Sequence, residues 1–408
     1  MISTSRPSGR RIGTMTVAAT FALTGLVACA SSGSAGSSNG SVRILNISTF
    51  SNPQFAAPQV KAAIRARVAE VDRAGGVAGH PLSVDFCDDQ GNPNQAQACA
   101  RKAVQGKYVA VVGGTTLYAA DILPVLQKGG IPWIAGSGSS APIEYQSAVS
   151  FPIQCGSLCA QLGAGRVLVD KNVKRIAVIV DNIPSVVQQA DQEAKTISHM
   201  APGLDVRTVS APIGAADFSA VVASATQHGT TGVVLVTTEN DSLKIVKELR
   251  QSGFTGEIGG TAAEFPPSNL SQLGPAANGL NVVYRMQPAT ATSGATQIAD
   301  FLHGMSTTDS HALVDELAEN AWTAIGFFAD LVKGRHSVTA ADVMSAAQHV
   351  TTPLDLGTVV PWVSPTSRPA SNAIPRIERL GVIASVVQQG KIVPHGGFFN
   401  PLAPATVN

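Results

Sequence analysis

From residue 42 onward, short continuous apolar runs alternate with longer segments in which apolar residues recur every three or four positions. Continuous apolar runs are typical of parallel strands that are covered on both faces, and the periodic segments are typical of amphipathic helices. The pattern therefore predicts a doubly wound α/β lobe. Its predicted strands are residues 42–47, 81–86, 108–112 and 131–135, and its predicted helices are residues 59–74, 94–105 and 118–128.

The same alternation restarts after residue 160 and predicts a second α/β lobe. A third region follows, with two helices and a last pair of strands joined by a turn at Gln389 and Gly390. A chain of 408 residues is long enough for two lobes with separate cores. The second lobe has predicted helices 161–170, 187–200, 218–227 and 242–251 and strands 175–180, 205–209, 232–236 and 279–284; the third region has helices 313–332 and 339–347 and strands 380–387 and 391–393.

The N-terminus has the pattern of an export signal. Several arginines are followed by an apolar run that ends in the sequence LVAC at residues 26–29. This run is too short to cross a bilayer, which takes about 20 apolar residues, and its last four residues resemble the bacterial lipobox, in which a lipid is attached to the Cys. We expect a lipoprotein signal peptide over residues 1–28, and a lipidated Cys29 with a flexible Ser/Gly linker over residues 29–40. The alternative is an ordinary signal peptide with a chance cysteine.

Composition agrees with an exported protein. Charged residues make up only 13% of the chain and the formal net charge is +1, so nothing indicates a nucleic-acid partner. Besides Cys29, the chain contains Cys87, Cys99, Cys155 and Cys159, an even number that predicts two disulfides in an oxidising compartment. Local pairing is the most economical of the three possible connectivities. A metal site is disfavoured, because neither cysteine cluster has a CxxC pair or a nearby histidine.

Six segments carry a family resemblance through their order and spacing. They are VDRAGGVAG at 71–79, CDDQGNPNQA at 87–96, VVGGTT at 111–116, GIPWIAGS at 130–137, KRIAV at 174–178 and ADFSA at 216–220. Together they resemble the type I periplasmic solute-binding proteins, specifically the branched-chain amino acid receptor family of ABC transporters. The resemblance covers essentially the whole chain after the linker.

The resemblance implies an α/β fold with two doubly wound, Rossmann-like lobes that are joined by three hinge crossovers. The first lobe would comprise residues 41–157 plus 286–370, and the second would comprise residues 158–285 plus 371–408. A ligand would bind in the cleft between the lobes, which would close by hinge motion. Cys155 and Cys159 would flank the first crossover, where a disulfide would stiffen a hinge strand.

Ligands of open α/β sheets bind at the carboxyl ends of strands, where helix N-termini offer N–H groups to an anion. Thr115 and Thr116 follow a predicted strand and precede a helix, and the resemblance assigns Thr116 to a ligand carboxylate. The alternative is that one of them only caps the helix. In the next loop, the resemblance implies that Ser137 and Ser139, with Gly138 between them, hold the ligand.

The second lobe departs from the family pattern. Ala262 stands where amino-acid-binding relatives carry an acidic residue for the ligand ammonium, and Ser185 lies near the position of a covering tyrosine. Glu239 and Glu264 are the nearby candidates for the acidic role; the alternative is that both are solvated loop residues. In the first lobe, Phe55 either forms an apolar wall of the cleft or packs under its own loop. The ligand is left open among amino acids, amides and small carboxylates.

These observations predict an extracytoplasmic solute-binding lipoprotein of an ABC importer, with no catalytic residue, cofactor or metal. Its partners would be a small-molecule solute, an ABC permease and, through the lipid anchor, the membrane. We expect a monomer on the outer face of the cell membrane in a Gram-positive host, and in the periplasm otherwise. A ligand-presenting sensor of the same fold is one alternative. A secreted hydrolase is the weaker one, because the SxxK, HExxH, Walker A and GxGxxG motifs are absent.

Overall fold

The computed structural model describes residues 40–53, 55–137, 142–290, 295–364 and 375–403. The predicted signal peptide, Cys29 and nearly all of the linker lie outside these residues, as do Gly138 and Ser139. Among the described residues, no helix combines the length and the apolar character needed to cross a membrane.

The first lobe opens with strands and helices in alternation. The elements are β1 (Val42–Ser48), α1 (Gln59–Arg73), β2 (Leu82–Asp88), α2 (Pro93–Gln105), β3 (Val111–Val112), α3 (Ala119–Gly129), β4 (Trp133–Ile134) and β5 (Ser150–Phe151). The five strands form one parallel sheet in the order β2-β1-β3-β4-β5. Because β1 has β2 on one side and β3 on the other, the chain winds in both directions from the centre of the sheet.

The second lobe is built on a seven-stranded sheet. Its elements are α4 (Gly156–Asp170), β6 (Arg175–Asp181), α5 (Pro184–Ser198), β7 (Asp205–Ala211), α6 (Ser219–Thr226), β8 (Gly232–Val236), α7 (Glu239–Gln251), β9 (Glu257–Thr261), α8 (Pro267–Leu273) and β10 (Leu280–Tyr284). The last elements of the chain are α9 (Thr296–Thr308), α10 (Glu316–Leu331), α11 (Ala340–Gln348), β11 (Ile383–Gln388) and β12 (Lys391–Pro394). The order is β12-β11-β10-β9-β8-β6-β7; β11 runs antiparallel to both of its neighbours, and the other strands run parallel to one another.

Each lobe takes its core from separate parts of the chain. A core cluster on the first sheet joins side chains from residues 42–153 to side chains from residues 286–362, with α1, α9 and α10 packed together. The clusters on the second sheet draw on residues 145–284 and 377–399. The predicted α/β architecture of two doubly wound lobes is therefore confirmed. The exact lobe boundaries, 41–157 plus 286–370 and 158–285 plus 371–408, stay a prediction.

Most predicted elements are found within a few residues of their expected bounds, but β5, β9, α8 and α9 were not predicted. The sequence of β9 has two central glycines instead of an apolar run. Gly260 is needed for packing, since a Cβ there would lie 2.7 Å from the Phe265 ring, and Gly259 packs closely on Leu168, which would lie 3.0 Å from an added Cβ. The strand therefore lacks the signal that its neighbour β8 has.

Both predicted disulfides pair locally. Cys87 at the end of β2 is bonded to Cys99 in α2, and Cys155 is bonded to Cys159 across the first turn of α4. The Cα atoms lie 5.7 Å apart in each pair. The first bridge holds a helix to the edge strand of its own lobe, and the second lies where the chain leaves the first lobe for the second.

Candidate functional site

The carboxyl ends of β1, β2 and β3 meet around the buried carboxylate of Asp89. The Thr49 hydroxyl donates to one carboxylate oxygen at 2.6 Å, the Gly91 N–H donates to the same oxygen at 2.9 Å, and the Thr116 hydroxyl donates to the other. Thr116 Oγ1 also accepts the Tyr118 N–H at 3.1 Å. Thr116 thus orders the turn that leads into α3, and its hydroxyl proton is directed at Asp89, a residue to which sequence reasoning gave no role.

Backbone hydrogen bonds bring the loops after β1, β3 and β4 together. The Thr115 N–H donates to Ser48 Oγ at 3.0 Å, and the Ser137 N–H donates to the Gly114 carbonyl oxygen at 3.0 Å. Gly114 has a φ of +107°, and a Cβ there would lie 2.5 Å from the Ile47 carbonyl oxygen, so only glycine allows this approach. Thr115, Thr116 and Ser137 therefore lie at one edge of the first sheet.

Two further predicted residues are placed but not assigned a role. Phe55 lies half-buried in the loop after β1, and its N–H donates to Asn52 Oδ1 at 3.2 Å. Ser185 lies in the first turn of α5, and only its backbone is described. The two interpretations of Phe55, a cleft wall or a residue that packs under its loop, both stay predictions.

The loops after β6, β8 and β9 meet at the carboxyl edge of the second sheet. Asp181, the last residue of β6, accepts the Thr238 N–H at 2.7 Å. The side-chain amide of Asn269 donates to the carbonyl oxygens of Glu239 and Glu264 at 2.7 and 3.1 Å. These bonds place the two acidic residues predicted for the second lobe in neighbouring loops of one edge.

Glu239 and Glu264 differ in their surroundings. Glu239 is exposed at the start of α7 and accepts a hydrogen bond from the Ser268 hydroxyl at 3.2 Å. The Glu264 carboxylate is buried and accepts the Thr261 N–H and hydroxyl at 2.7 and 2.5 Å. Burial raises the pKa of Glu264, while its hydrogen bonds to Thr261 and the charge of Arg285 oppose this rise. Ala262, between these loops, donates its N–H to the Val283 carbonyl oxygen at 3.1 Å.

Arg285, directly after β10, connects the two edges. Its Nε and Nη2 donate to one oxygen of Glu316 at 3.1 and 3.0 Å, and the N–H groups of Arg285 and Met286 donate to the other oxygen at 2.7 and 3.3 Å. Its Nη1 makes a long hydrogen bond of 3.5 Å to the Ser137 carbonyl oxygen. Arg285 thus joins the end of β10 to a loop of the first lobe, and its positive charge opposes the rise in the pKa of Glu264 in the second. Sequence reasoning missed this residue.

A polar face of α10 holds the crossover segments. Asn320 donates to the Ala135 carbonyl oxygen at 3.2 Å and accepts from the Gln154 amide at 2.8 Å, which fixes the loop after β4 and the first crossover. One turn earlier, Glu316 holds the second crossover through Arg285. One turn later, Thr323 shares a 2.8 Å hydrogen bond with Thr358, in the segment that leads to the third crossover.

Three surface depressions of about 500 to 650 Å³ lie elsewhere and include none of the predicted ligand-binding residues. One is next to Arg101 and Tyr108, one is between Val360 and Phe398, and one is beside α8. The described residues contain no group of three or more His, Cys, Asp or Glu side chains suited to a metal ion. The polar groups that meet between the lobes are therefore the best candidate for a functional site.

The fold defines a class of protein. Two α/β lobes are built from discontinuous segments, and polar loops at the strand ends of both lobes lie near the crossovers. This is the arrangement of the type I two-lobed binding proteins. The chain belongs to the periplasmic binding protein family, whose sequence model matches residues 41–372. The resemblance found in the sequence is thereby confirmed.

Known proteins agree with this assignment. The Leu/Ile/Val-binding protein BraC3 of Rhizobium johnstonii is 27% identical over 126 residues, which are 30% of this chain and 34% of that protein. The chain thus matches about a third of the length of this relative. The leucine-binding protein LivK of Thermotoga maritima superposes with a TM-score of 0.69 at 18% identity, over 88% of this chain and 99% of LivK. The fatty acid ABC transporter substrate-binding protein of Thermomonospora curvata superposes with a TM-score of 0.72 at 13% identity, over 90% and 94% of the chains. At these identities the superpositions show the fold.

Proposed function

We propose that this protein is the extracytoplasmic solute-binding lipoprotein of an ABC importer, and that it captures a small solute between its lobes by hinge closure. The observation that carries the proposal is the position of Arg285, which contacts Ser137 of one lobe and acts on Glu264 of the other. Loops at the carboxyl ends of strands bind the ligands of open α/β sheets, and here such loops from both sheets meet. Family membership supports binding without turnover.

The proposed solute is an amino acid, an amide or a small carboxylate. The similar proteins are named for leucine, isoleucine and valine in one case, leucine in another and fatty acids in a third, so the fold accommodates different small ligands. We place the binding residues at Phe55, Thr115, Thr116, Ser137, Gly138, Ser139, Ser185, Glu239 and Glu264.

The proposed lipid anchor at Cys29 would hold the two lobes at the outer surface of the membrane. A lipid on Cys29, with cleavage after residue 28, would leave residues 29–40 as a flexible tether. A Ser/Gly chain of this length has a typical end-to-end distance of about 20 Å. Such a tether keeps a monomeric receptor close to its permease and raises its effective concentration there. Mass spectrometry of the membrane-bound protein should find Cys29 diacylated, and an unmodified N-terminus at another residue would contradict the anchor.

Thermal unfolding of the folded protein tests the binding function directly. At a hundredfold excess over the dissociation constant, a ligand stabilises the native state by about 2.7 kcal/mol, which is well within the reach of a melting assay. The panel should contain amino acids, amides, aromatic acids and short-chain acids. A true solute is recovered chemically unchanged after stoichiometric binding. If no compound shifts the melt, or if the bound compound is hydrolysed, the proposed function is wrong.

Side-chain replacement tests the position of the site. Thr116→Ala removes the hydroxyl that orders the loop after β3 through Asp89 and the Tyr118 N–H, and Ser139→Ala removes a hydroxyl proposed to bond the solute directly. Each should weaken the binding of a solute found in that panel by roughly 1–3 kcal/mol. Thr116→Ser keeps the hydroxyl that Asp89 and the Tyr118 N–H require, so it should bind nearly as well as the wild type. Ser198→Ala, on the exposed end of α5, is the control. Calorimetry measures all four, and unchanged affinity in both alanine variants would place the cleft elsewhere.

A further inference from the structure

Glu319 lies on α10, one turn after Glu316, and is completely buried. Its exposed fraction is 0%, and among the described residues neither of its carboxylate oxygens has a hydrogen-bond partner. An ionised carboxylate that is buried without a partner costs far more free energy than a neutral carboxylic acid in the same place. Burial therefore raises the pKa of Glu319 well above its usual range, and the negative charges of Glu316 and Asp315 raise it further. The structure thus holds a proton on Glu319 far above the pH at which a solvated glutamate loses it.

Glu319 lies where the two lobes meet. Helix α10 is part of the core of the first lobe, and Tyr284, the last residue of β10, is part of a core cluster of the second sheet. Burial raises the pKa of Tyr284, and the charges of Glu316 and Glu319 add to this effect, so both carboxylates lie near this end of the second lobe. The second crossover follows at Arg285. Glu319 is therefore buried at a junction that bends when one lobe rotates against the other.

The cations that face α10 in the described part of the chain are already paired. Arg285 donates to Glu316 from Nε and Nη2, and Arg67 of α1 donates to Glu70 at 2.6 Å. Strand β3, which also packs on α10, has no titratable residue. The remaining titratable residues of the packed helices are exposed or bonded elsewhere, and they are Asp300 and His303 of α9 and Asp342 of α11. An ionised Glu319 therefore needs water as its partner.

We propose that Glu319 holds a proton while the lobes are closed and releases it when they open, so that a low pH closes the hinge and a high pH opens it. Opening admits water to the junction, where an ionised carboxylate is solvated. The proton is then a ligand that binds the closed state better than the open state, and it shifts the population between them. The inference uses the hinge motion of the proposed function and adds a control by pH that needs no solute.

Opening releases one proton, so the ratio of open to closed molecules depends on pH. The ratio is constant below the pKa that Glu319 has in the open form, and it rises about tenfold per pH unit above that value. It levels off once the pH exceeds the pKa of the closed form. Because a glutamate in water has a pKa of about 4.5, the rise begins near that pH and continues through the range in which the closed form stays protonated.

Small-angle X-ray scattering of the full mature chain without solute tests the switch. Opening increases the radius of gyration, and circular dichroism on the same samples shows whether the chain stays folded. We expect a larger radius at pH 8 than at pH 5, with the same helical signal at both. An equal radius at the two pH values overturns the proposal. A rise that coincides with a loss of helical signal overturns it as well, because the proton then stabilises the fold and not the closed hinge.

Variants show whether Glu319 is the group that titrates. Glu319→Gln keeps the shape of the neutral acid and cannot ionise, so its radius at pH 8 should equal its radius at pH 5. Glu319→Met removes the polar atoms altogether and should behave in the same way. Glu193→Gln is the matched control, because Glu193 is also buried, at 2% exposure, and burial raises its pKa to about 7, but it lies on α5, outside the crossovers. This control should show the full rise of the wild type.

Each other outcome contradicts the switch. If both Glu319 variants still open at pH 8, or if Glu193→Gln alone abolishes the opening, another group is responsible. If neither Glu319 variant folds, the native state needs the charge of Glu319, which is the opposite of the proposal. None of these measurements involves a solute, so a failure here leaves the proposed binding function in place, and a solute panel without a hit leaves the pH switch in place.

Discussion

Removing one partner of the ion pair between Arg285 and Glu316 should cost far more stability than removing one partner of an exposed pair. The Arg285 and Glu316 side chains are only 11% and 9% exposed, and four N–H donors converge on the two oxygens of Glu316. Glu316→Gln keeps one of these oxygens and turns an NH₂ group toward the guanidinium. The guanidinium then loses its counter-charge in a place that water reaches poorly. Removing one partner of a buried pair typically costs about 3–5 kcal/mol, and we expect about 3 kcal/mol here because the amide keeps one acceptor.

Urea denaturation at pH 7 measures this loss, and two further variants make the result interpretable. Lys171 and Glu257 also form a pair of 2.8 Å, but their side chains are 40% and 35% exposed, so Lys171→Met should lose no more than about 1 kcal/mol. Arg285→Met combined with Glu316→Leu removes both charges together and should recover most of the stability that the single variant loses. If Glu316→Gln loses no more than Lys171→Met, the pair is solvated and does not hold the second crossover to α10.

Three further outcomes follow from local geometry. Removing the Cys87–Cys99 bridge should cost about 3 kcal/mol in urea denaturation, and removing the shorter Cys155–Cys159 bridge about 2 kcal/mol; equal losses would contradict the loop-entropy account. Burial raises the pKa of Glu193 to about 7, so the folded state holds its proton more tightly than the unfolded chain does, and stability should fall as the pH rises from about 4.5 to 7. Glu193→Gln should remove that fall, measured at pH 5 and pH 8. Gly114→Ala, whose Cβ would lie 2.5 Å from a carbonyl oxygen of β1, should destabilise the protein by several times more than Gly203→Ala, where nothing lies within 4 Å, and similar melting temperatures would contradict the close approach.

The sequence predicted those elements whose packing is uniform along their length. Strands β6 and β8 are buried on both faces and therefore read as continuous apolar runs. Helix α9 was missed although Ile298, Phe301 and Met305 are buried on one face; Gly304, a weak helix former, lies inside it. A Cβ on Gly304 would lie 3.0 Å from Glu70 Oε1 in α1, so this glycine allows close packing against a helix that is distant in sequence. Local patterns cannot report such contacts.

Some residues of the candidate site could likewise be predicted from the sequence, and others could not. Thr115, Thr116 and Ser137 were placed at strand ends by topology, which depends only on the order of strands and helices. Arg285 and Asp181 had no such signal, since each is a single polar residue after a strand. Their roles depend on partners 31 and 57 residues away in the chain, Glu316 and Thr238. The sequence alone therefore does not predict which charged side chains of the candidate site are paired, because their partners lie far away in the chain.

The polar face of α10 explains how one lobe can hold the first two crossovers. The opposite face of this helix is buried in the first core, so the helix moves with its lobe. Asn320, Glu316 and Thr323 lie on successive turns and hold, in that order, the first crossover, the second crossover and the segment before the third. The first-lobe ends of the first two crossovers are thus fixed to one rigid body. In the proposed closure, the chain has to rotate on the second-lobe side of these attachment points. On the first crossover, the Cys155–Cys159 bridge stiffens the start of α4. On the second crossover, Arg285 is the attached residue. The same guanidinium that anchors the hinge also contacts the loop of Ser137, so a solute bound against that loop would act on the hinge through a single residue.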